Sequence, residues 1–163
     1  MDTAAPFIQV SVRRQRLRLM ADHQCLFEAA VSTARKGVGE QHGSECTPRG
    51  WHVIRARIGV DCAPNTVFVA RRPTGEMYSA ELRARFPERD WILTRILWLG
   101  GLEPGHNRFG PVDTQRRFIY IHGCPDDDPI GVPSSHGCIK LRNSDIVRLF
   151  DRVRRGTRVF IEA

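Results

Sequence analysis

The chain has 163 residues, a length that suits one domain with a core of its own, expected to span residues 1–163. Its net charge of +7 favours anionic partners, such as nucleic acid, phospholipid head groups or a carboxylate-bearing substrate. The arginines are scattered over Arg13 to Arg18, Arg71 and Arg72, Arg83 to Arg89 and Arg152 to Arg158, with no interleaved aromatic motif, which argues against a nucleic-acid reader.

The five cysteines are an odd number, and free thiols fit a reducing compartment better than a secreted disulfide scaffold. The N-terminal stretch "MDTAAPFIQVSVRRQRLRL" starts with Asp2 and places Arg13 and Arg14 after a short mixed segment, the reverse of a signal peptide. No apolar run is long enough to span a bilayer, so no membrane partner is expected. The expected address is the cytoplasm, or the periplasm if a leader has been removed. Oligomeric state is not legible in the residues.

In chain order, "FIQVSVRRQRLRLM" alternates apolar and polar residues. Ile8, Val10 and Val12 share a face, Leu17 and Leu19 follow a turn, and the stretch predicts two strands or a hairpin. "CLFEAAVSTA" predicts another strand, "GVGEQHGSECTPRG" a loop, "WHVIRARIGV" a strand and "NTVFVARR" a short one. "SAELRARF" predicts a short helix ending before Pro87. "WILTRILWLG" is strongly apolar and fits strand or helix, and "GLEPGHNRFGPVD" predicts a loop. "RRFIYIHG" predicts a strand with Phe118, Tyr120 and His122 on one face and His122 at its end. "NSDIVRLFDRVRRG" predicts a helix capped by Asn143 or Ser144. Its apolar stripe is Ile146, Leu149, Phe150 and Val153, and Gly156 stops it. "TRVFIEA" predicts a closing strand. The fold class is mostly β with one or two helices.

Function turns on "IHGCPDDDPIGVPSSHGC", which repeats His-Gly-Cys at His122 and at His136. Two readings compete. A structural zinc wants four nitrogen or sulfur ligands, with cysteines usually two to four residues apart. Here each His is followed two residues on by its Cys, an unusual bite. A cysteine nucleophile wants a base, an acceptor that orients the base, and N–H donors for the developing oxyanion. Gly137 beside Cys138 leaves room for a substrate to approach the backbone, and His122 comes from a separate element.

"HGCPDDDPIGVPSSHGCIKLRNSDIVRLFD" resembles the active-site signature of the L,D-transpeptidase family, the YkuD-type catalytic domain. That signature is His-Gly-Thr, about a dozen residues, then Ser-His-Gly-Cys-Ile-Arg and a helix. "TPRGWHVI" resembles its Thr-Pro-x-Gly stretch. The resemblance implies a β-rich sandwich or barrel-like fold. It implies Cys138 as nucleophile, His122 as base, and the Gly123 carbonyl as the group that orients the imidazole. Ser135, His136 and Gly137 would shape the pocket, with backbone N–H groups around Gly137 and Cys138 as the oxyanion hole. No cofactor or metal is implied.

Two positions depart from the signature. Cys124 replaces Thr, and its thiol is a candidate to oxidise with Cys138. Lys140 replaces Arg, which keeps the charge and loses the bidentate fork. Arg142 is a candidate to compensate, and Arg95, Asn107 and Arg108 are candidates to bind carboxylates. Trp51, Trp91 and Trp98 are expected in the core. The implied substrates are peptidoglycan stem peptides or soluble muropeptides, cleaved between the third residue and a terminal D-Ala. The implied outcome is L,D-carboxypeptidase activity, with cross-linking by L,D-transpeptidation as the alternative. A zinc-bearing or anion-binding module is the non-enzymatic alternative.

Overall fold

The computed structural model describes residues 4–163. The chain opens with the antiparallel hairpin β1 (Phe7–Ser11) and β2 (Arg16–Ala21), followed by β3 (Gln24–Ala30). Ile8, Val10, Leu17, Leu19, Phe27 and Ala29 all turn inward, because side chains two apart share a face. Then come β4 (Gly50–Ile58), β5 (Thr66–Val69), β6 (Arg72–Met77), the short helix α1 (Ala80–Arg85) and β7 (Ile92–Gly101). The chain closes with β8 (Tyr120–Cys124), β9 (Ile139–Arg142), helix α2 (Asn143–Phe150) and β10 (Arg158–Glu162).

The ten strands form one sheet in the order β3-β2-β1-β10-β4-β7-β5-β6, with β8 also paired to β7 and β9 paired to β8. β1 runs parallel to β10, so the two ends of the chain lie side by side. β7 is the hub. One edge pairs with β5 at Ile92 and Leu93 and then with β4 from Ile96 onward, while the other edge pairs with β8. Leu97 and Leu99 face the main core with Ile54, Ile121, Ile139 and Leu149. Ile96 faces a second cluster with Phe68 and Tyr120. Both faces of β7 are therefore covered. That produces a nearly continuous apolar run, which in sequence also fits a helix. Each fully buried Leu or Ile of this core contributes roughly 1.5–3 kcal/mol.

Five local expectations are corrected. β6 contains Pro73 and Gly75 and is almost wholly exposed, so it carried no strand pattern. β9 is only four residues long and directly abuts α2, which hid it behind the motif. Phe118 has φ +58 and the strand starts only at Tyr120, so His122 stands at the middle of β8 and not at its end. α2 ends at Phe150 with Asp151 as its C-cap, well before Gly156, although Val153 still reaches the core. The residue before α2, Arg142, makes no side-chain capping bond, and Asn143 begins the helix without capping it.

Candidate active site

Cys138 immediately precedes β9, and the parallel register Ile121↔Ile139 puts it beside Tyr120. Its Sγ lies 3.3 Å from the Tyr120 N–H that donates to it, and 3.4 Å from the Phe118 carbonyl to which the thiol donates. The turn before it is tied internally. Ser135 Oγ donates to Cys138 O at 2.5 Å and accepts from Gly137 N at 3.2 Å, while Thr47 Oγ1 donates to Gly137 O at 2.9 Å. Gly137 has φ +130, and a Cβ there would sit 3.1 Å from Ile119 Cδ1 and 3.2 Å from Cys46 O. Its missing side chain thus answers to packing and backbone conformation and does not open a path for substrate. Its N–H is already bonded to Ser135.

His122 is fully enclosed in β8, and its Nδ1 lies 2.6 Å from the Gly123 carbonyl oxygen. With the Nδ1 proton donated there, Nε2 is left as the acceptor. Gly123 has no room for a side chain, since a Cβ would meet Asn143 Oδ1 at 2.5 Å and Leu93 O at 2.7 Å. Asn143 is clamped in turn. Its Oδ1 accepts from Thr94 Oγ1 at 2.5 Å, and its Nδ2 donates to Asn65 Oδ1 at 2.9 Å and Asp126 Oδ1 at 3.3 Å. Thr94 is buried with φ +76, a conformation that β-branched residues rarely adopt. A backbone distortion of this kind stores about 1–3 kcal/mol and persists only where its surroundings hold it.

Burial pushes the Cys138 thiol up to about 12; the Tyr120 N–H and the charges of Arg117 and Lys140 oppose that, and Asp90 adds to it. Burial also holds the His122 imidazole below its ordinary value, against the opposing pull of Asp90 and the Gly123 carbonyl. The resting pair is therefore a thiol and a neutral imidazole. The thiol is hydrogen-bonded to the Phe118–Tyr120 backbone, not to the ring, a looseness common in unliganded sites.

Cys138, His122, Ser135 and His136 line one cavity of about 490 Å³. Its charged walls are Arg71, Asp90 and Arg117. Arg71 stands at the tip of the β5–β6 hairpin, donates to Tyr120 Oη at 3.0 Å and stacks over the rings of Trp98 and Phe118. Arg117 is held by the carbonyls of Gly39 and Cys46 and by Ser44 Oγ.

Residues 5–161 match the family of YkuD L,D-transpeptidase catalytic domains. The chain belongs to that family. Among curated relatives, the probable L,D-transpeptidase YbiS of Escherichia coli is 51% identical over 43 residues, 26% of this chain and 14% of YbiS. The putative L,D-transpeptidase YqjB of Bacillus subtilis is 24% identical over 156 residues, 96% of this chain and 70% of YqjB. Among solved structures, L,D-transpeptidase 3 of Mycobacterium tuberculosis with a faropenem-derived adduct superposes with TM-score 0.60 at 16% identity, covering 98% of this chain and 60% of that one. The C442S mutant of the Enterococcus faecium L,D-transpeptidase gives 0.57 at 15% identity, covering 96% of this chain and 49% of that one. This chain thus spans well under two thirds of those solved chains, and the likeness establishes the fold: a curled, mostly β sheet with two helices.

The YkuD-type fold keeps several sequence candidates away from the cavity. Lys140 is beside His122 in the β8–β9 register, but it is buried and its Nζ lies 3.4 Å from Asp128, which also holds Arg83 at 2.7 Å. It is a cation enclosed with Asp128 as its counter-ion and is not among the residues that line the cavity. Arg142 is exposed ahead of α2, outside the cavity lining. Arg95 donates to the Cys62 and Thr94 carbonyls at 2.7 Å, and Asn107 is buried and ties Arg49, Trp51 and Glu103 together. Neither lines the cavity. Arg108 lines a neighbouring cavity.

The two His-Gly-Cys triplets do not converge on a metal. Cys124 pairs with Arg142, four register positions from Cys138, so roughly 13 Å of strand separates them. That span also excludes a Cys124–Cys138 disulfide, whose Cα atoms must lie within about 7 Å. Cys124 is buried and its thiol donates to Leu141 O. The described residues contain no group of three or more His, Cys, Asp or Glu able to hold a metal ion. The acidic run is committed elsewhere: Asp126 to Asn143, Asp127 to Tyr78 and Asp128 to Arg83 and Lys140.

Sequence reasoning did not single out Tyr120, Arg71 or Asp90. Tyr120 had a signal, since it alternates with His122. Arg71 and Asp90 arrive on a hairpin tip and a loop, and only the sheet topology brings them to the motif.

Proposed function

We propose that the protein is a cysteine acyltransferase acting on peptidoglycan stem tetrapeptides, with Cys138 as nucleophile and His122 as base. The observation that supports this best is the placement of Cys138 and a tautomer-fixed His122 on the same cavity wall, inside a YkuD-type fold. The thiol passes its proton to His122 Nε2 as sulfur attacks the carbonyl of the third stem residue. The Tyr120 N–H, which donates to the resting sulfur, is a donor available to the developing oxyanion. The carbon–nitrogen bond breaks, D-Ala leaves with the proton held by His122, and a thioester remains on Cys138. Arg71 and Arg117 supply positive potential for the substrate carboxylates, and Asp90 supplies negative potential for its free amine.

The thioester then passes to an amine or to water. Transfer to an amine makes the protein an L,D-transpeptidase and is the reading we favour, because a second cavity adjoins the first across Phe118. Release by water, giving L,D-carboxypeptidase activity, is the second reading. It is the outcome expected from the sequence, and it needs only room for a water molecule in the cavity beside Cys138.

Incubation with a carbapenem tests the common step. One adduct in the intact mass, mapped to the peptide carrying Cys138, is the expected result. No adduct at saturating drug, or an adduct on Cys25, Cys46 or Cys62, contradicts it.

A further inference from the structure

Cations crowd the ring of His122. Lys140 is its neighbour in the β8–β9 register and is buried. Its counter-ion Asp128, at 3.4 Å, is shared with Arg83, which lies closer at 2.7 Å. Arg71 and Arg117 stand on the wall of the cavity that His122 lines. Neither forms an ion pair among the described residues, and the acceptors that hold them are neutral hydroxyls and carbonyls. Ser135, His136, Tyr120 and Cys138 bring no negative charge to the wall at rest.

Acylation turns the ring itself into a cation. The Cys138 thiol gives its proton to Nε2, so an imidazolium forms where burial has removed its water. Desolvation and the neighbouring positive charges both oppose that. One side chain on the wall has the opposite sign. Asp90 is the one carboxylate among the described residues that line the cavity, and it is exposed and in no ion pair. Its neighbours are anchored. Arg89 Nη2 pairs with Glu76 Oε1 of β6 at 2.8 Å, Trp91 is buried with its ring 5.3 Å from that of Tyr78, and Ile92 opens β7 against Phe68. The backbone thus holds Asp90 at the cavity while its carboxylate stays uncommitted. Burial is the main influence on His122 and on Cys138; the charge of Asp90 opposes it at the ring and adds to it at the thiol. Asp90 therefore disfavours a free thiolate at rest and favours the ring once it holds the proton.

We propose that Asp90 is a positioning residue for acylation, an unpaired carboxylate that stabilises the positive charge His122 gains from Cys138. The proposal rests on the acyl-transfer reading given above. Sulfur bonds to the carbonyl carbon of the third stem residue, its proton goes to Nε2, and the carbonyl electron pair moves to oxygen. Asp90 offsets the charge on the ring until that proton passes to the leaving amine and the carbon–nitrogen bond breaks. This role is separate from the potential that Asp90 offers a substrate amine, and a substrate without an amine tells the two apart.

The test compares the unaltered protein with Asp90→Asn and Asp90→Glu, using a penem that carries no amine and reading the rate of adduct formation by intact mass. Asp90→Asn should slow acylation about tenfold, the effect of one unit charge across a partly solvated cavity. Added salt should narrow that gap, and Asp90→Glu should recover part of the rate. A second readout needs no turnover. In an NMR titration of the His122 ring, assigned by its loss in His122→Gln, the proton affinity should be about tenfold weaker in Asp90→Asn. A penem rate unchanged in Asp90→Asn, with only the KM for tetrapeptide raised, would overturn the proposal and leave Asp90 as a reader of the substrate amine. A slower penem rate with the His122 titration unmoved would overturn it as well. Failure of the unaltered protein to be acylated by penem or tetrapeptide would instead overturn the proposed function, and the His122 titration would still decide whether Asp90 acts on the ring.

Discussion

His122 Nδ1 lies 2.6 Å from the carbonyl oxygen of Gly123, the next residue in its own strand. A strand carbonyl cannot turn without moving the strand, so the ring inherits the rigidity of β8, and Nε2 is the nitrogen free to take a proton. His136 is exposed on the cavity wall and has no such restraint. His122→Gln should slow acylation by about 10²–10⁴-fold with the fold intact, the usual range for a lost general base. His136→Gln should cost far less. Single-turnover acylation of the two variants measures this, and a larger loss at His136 would reverse the assignment.

Asn143 fills the space a Gly123 side chain would need and accepts from strained Thr94. Asn143→Ala should therefore open space beside Gly123 and lower kcat about tenfold with KM little changed, besides lowering stability by about 1–3 kcal/mol because the Thr94 hydroxyl loses its acceptor. Asn143→Asp keeps an acceptor oxygen and should recover part of kcat. A loss of stability with full kcat in the folded protein would reduce Asn143 to a packing role.

The motif and its helix were legible because their signals are local: two His-Gly-Cys triplets, and an apolar stripe from Ile146 to Phe150. The alternating strands β1 to β4 were legible for the same reason, each burying one face. β7 was ambiguous because both its faces are covered. β6 was invisible because neither face is. Asn143 reads as a cap from sequence, yet the chain diverts its side chain to Thr94, 49 residues away. Lys140 reads as a clamp because its motif position suggests one, but Asp128 claims it from across the loop. The cavity-lining charges Arg71 and Asp90 reach the site only through strand order, which residue pattern does not encode.

Thiol reactivity should report the resting state. Burial pushes Cys138 up to about 12 and His122 down, so no thiolate–imidazolium pair forms near neutrality. The iodoacetamide rate at Cys138, followed by peptide mapping, should rise about tenfold per pH unit from 7 to 10 without a plateau. A plateau reached below pH 8 would mean that a preformed ion pair exists.

His52 is buried between Gly50 O and Thr114 Oγ1, and burial lowers it from 6.5 to about 4. A histidine lowered in the fold binds fewer protons than the unfolded chain between those values, so acid favours unfolding. Stability should be full above pH 6.5 and fall toward pH 4, with His52 alone contributing on the order of 3 kcal/mol to that loss. Denaturant titrations across this range should show a shallower pH slope for His52→Gln. An unchanged slope would mean that other groups carry the acid sensitivity.

A thioester between Cys138 and the stem peptide can be caught directly. The protein is incubated with a disaccharide-tetrapeptide, quenched in acid, and read by intact mass, peptide mapping and assay of free D-Ala. The expected result is D-Ala release together with an acyl group on the Cys138 peptide, both absent in Cys138→Ala and both retained in Cys124→Ser. D-Ala release that survives Cys138→Ala, or an acyl group mapped to any other residue, would contradict it.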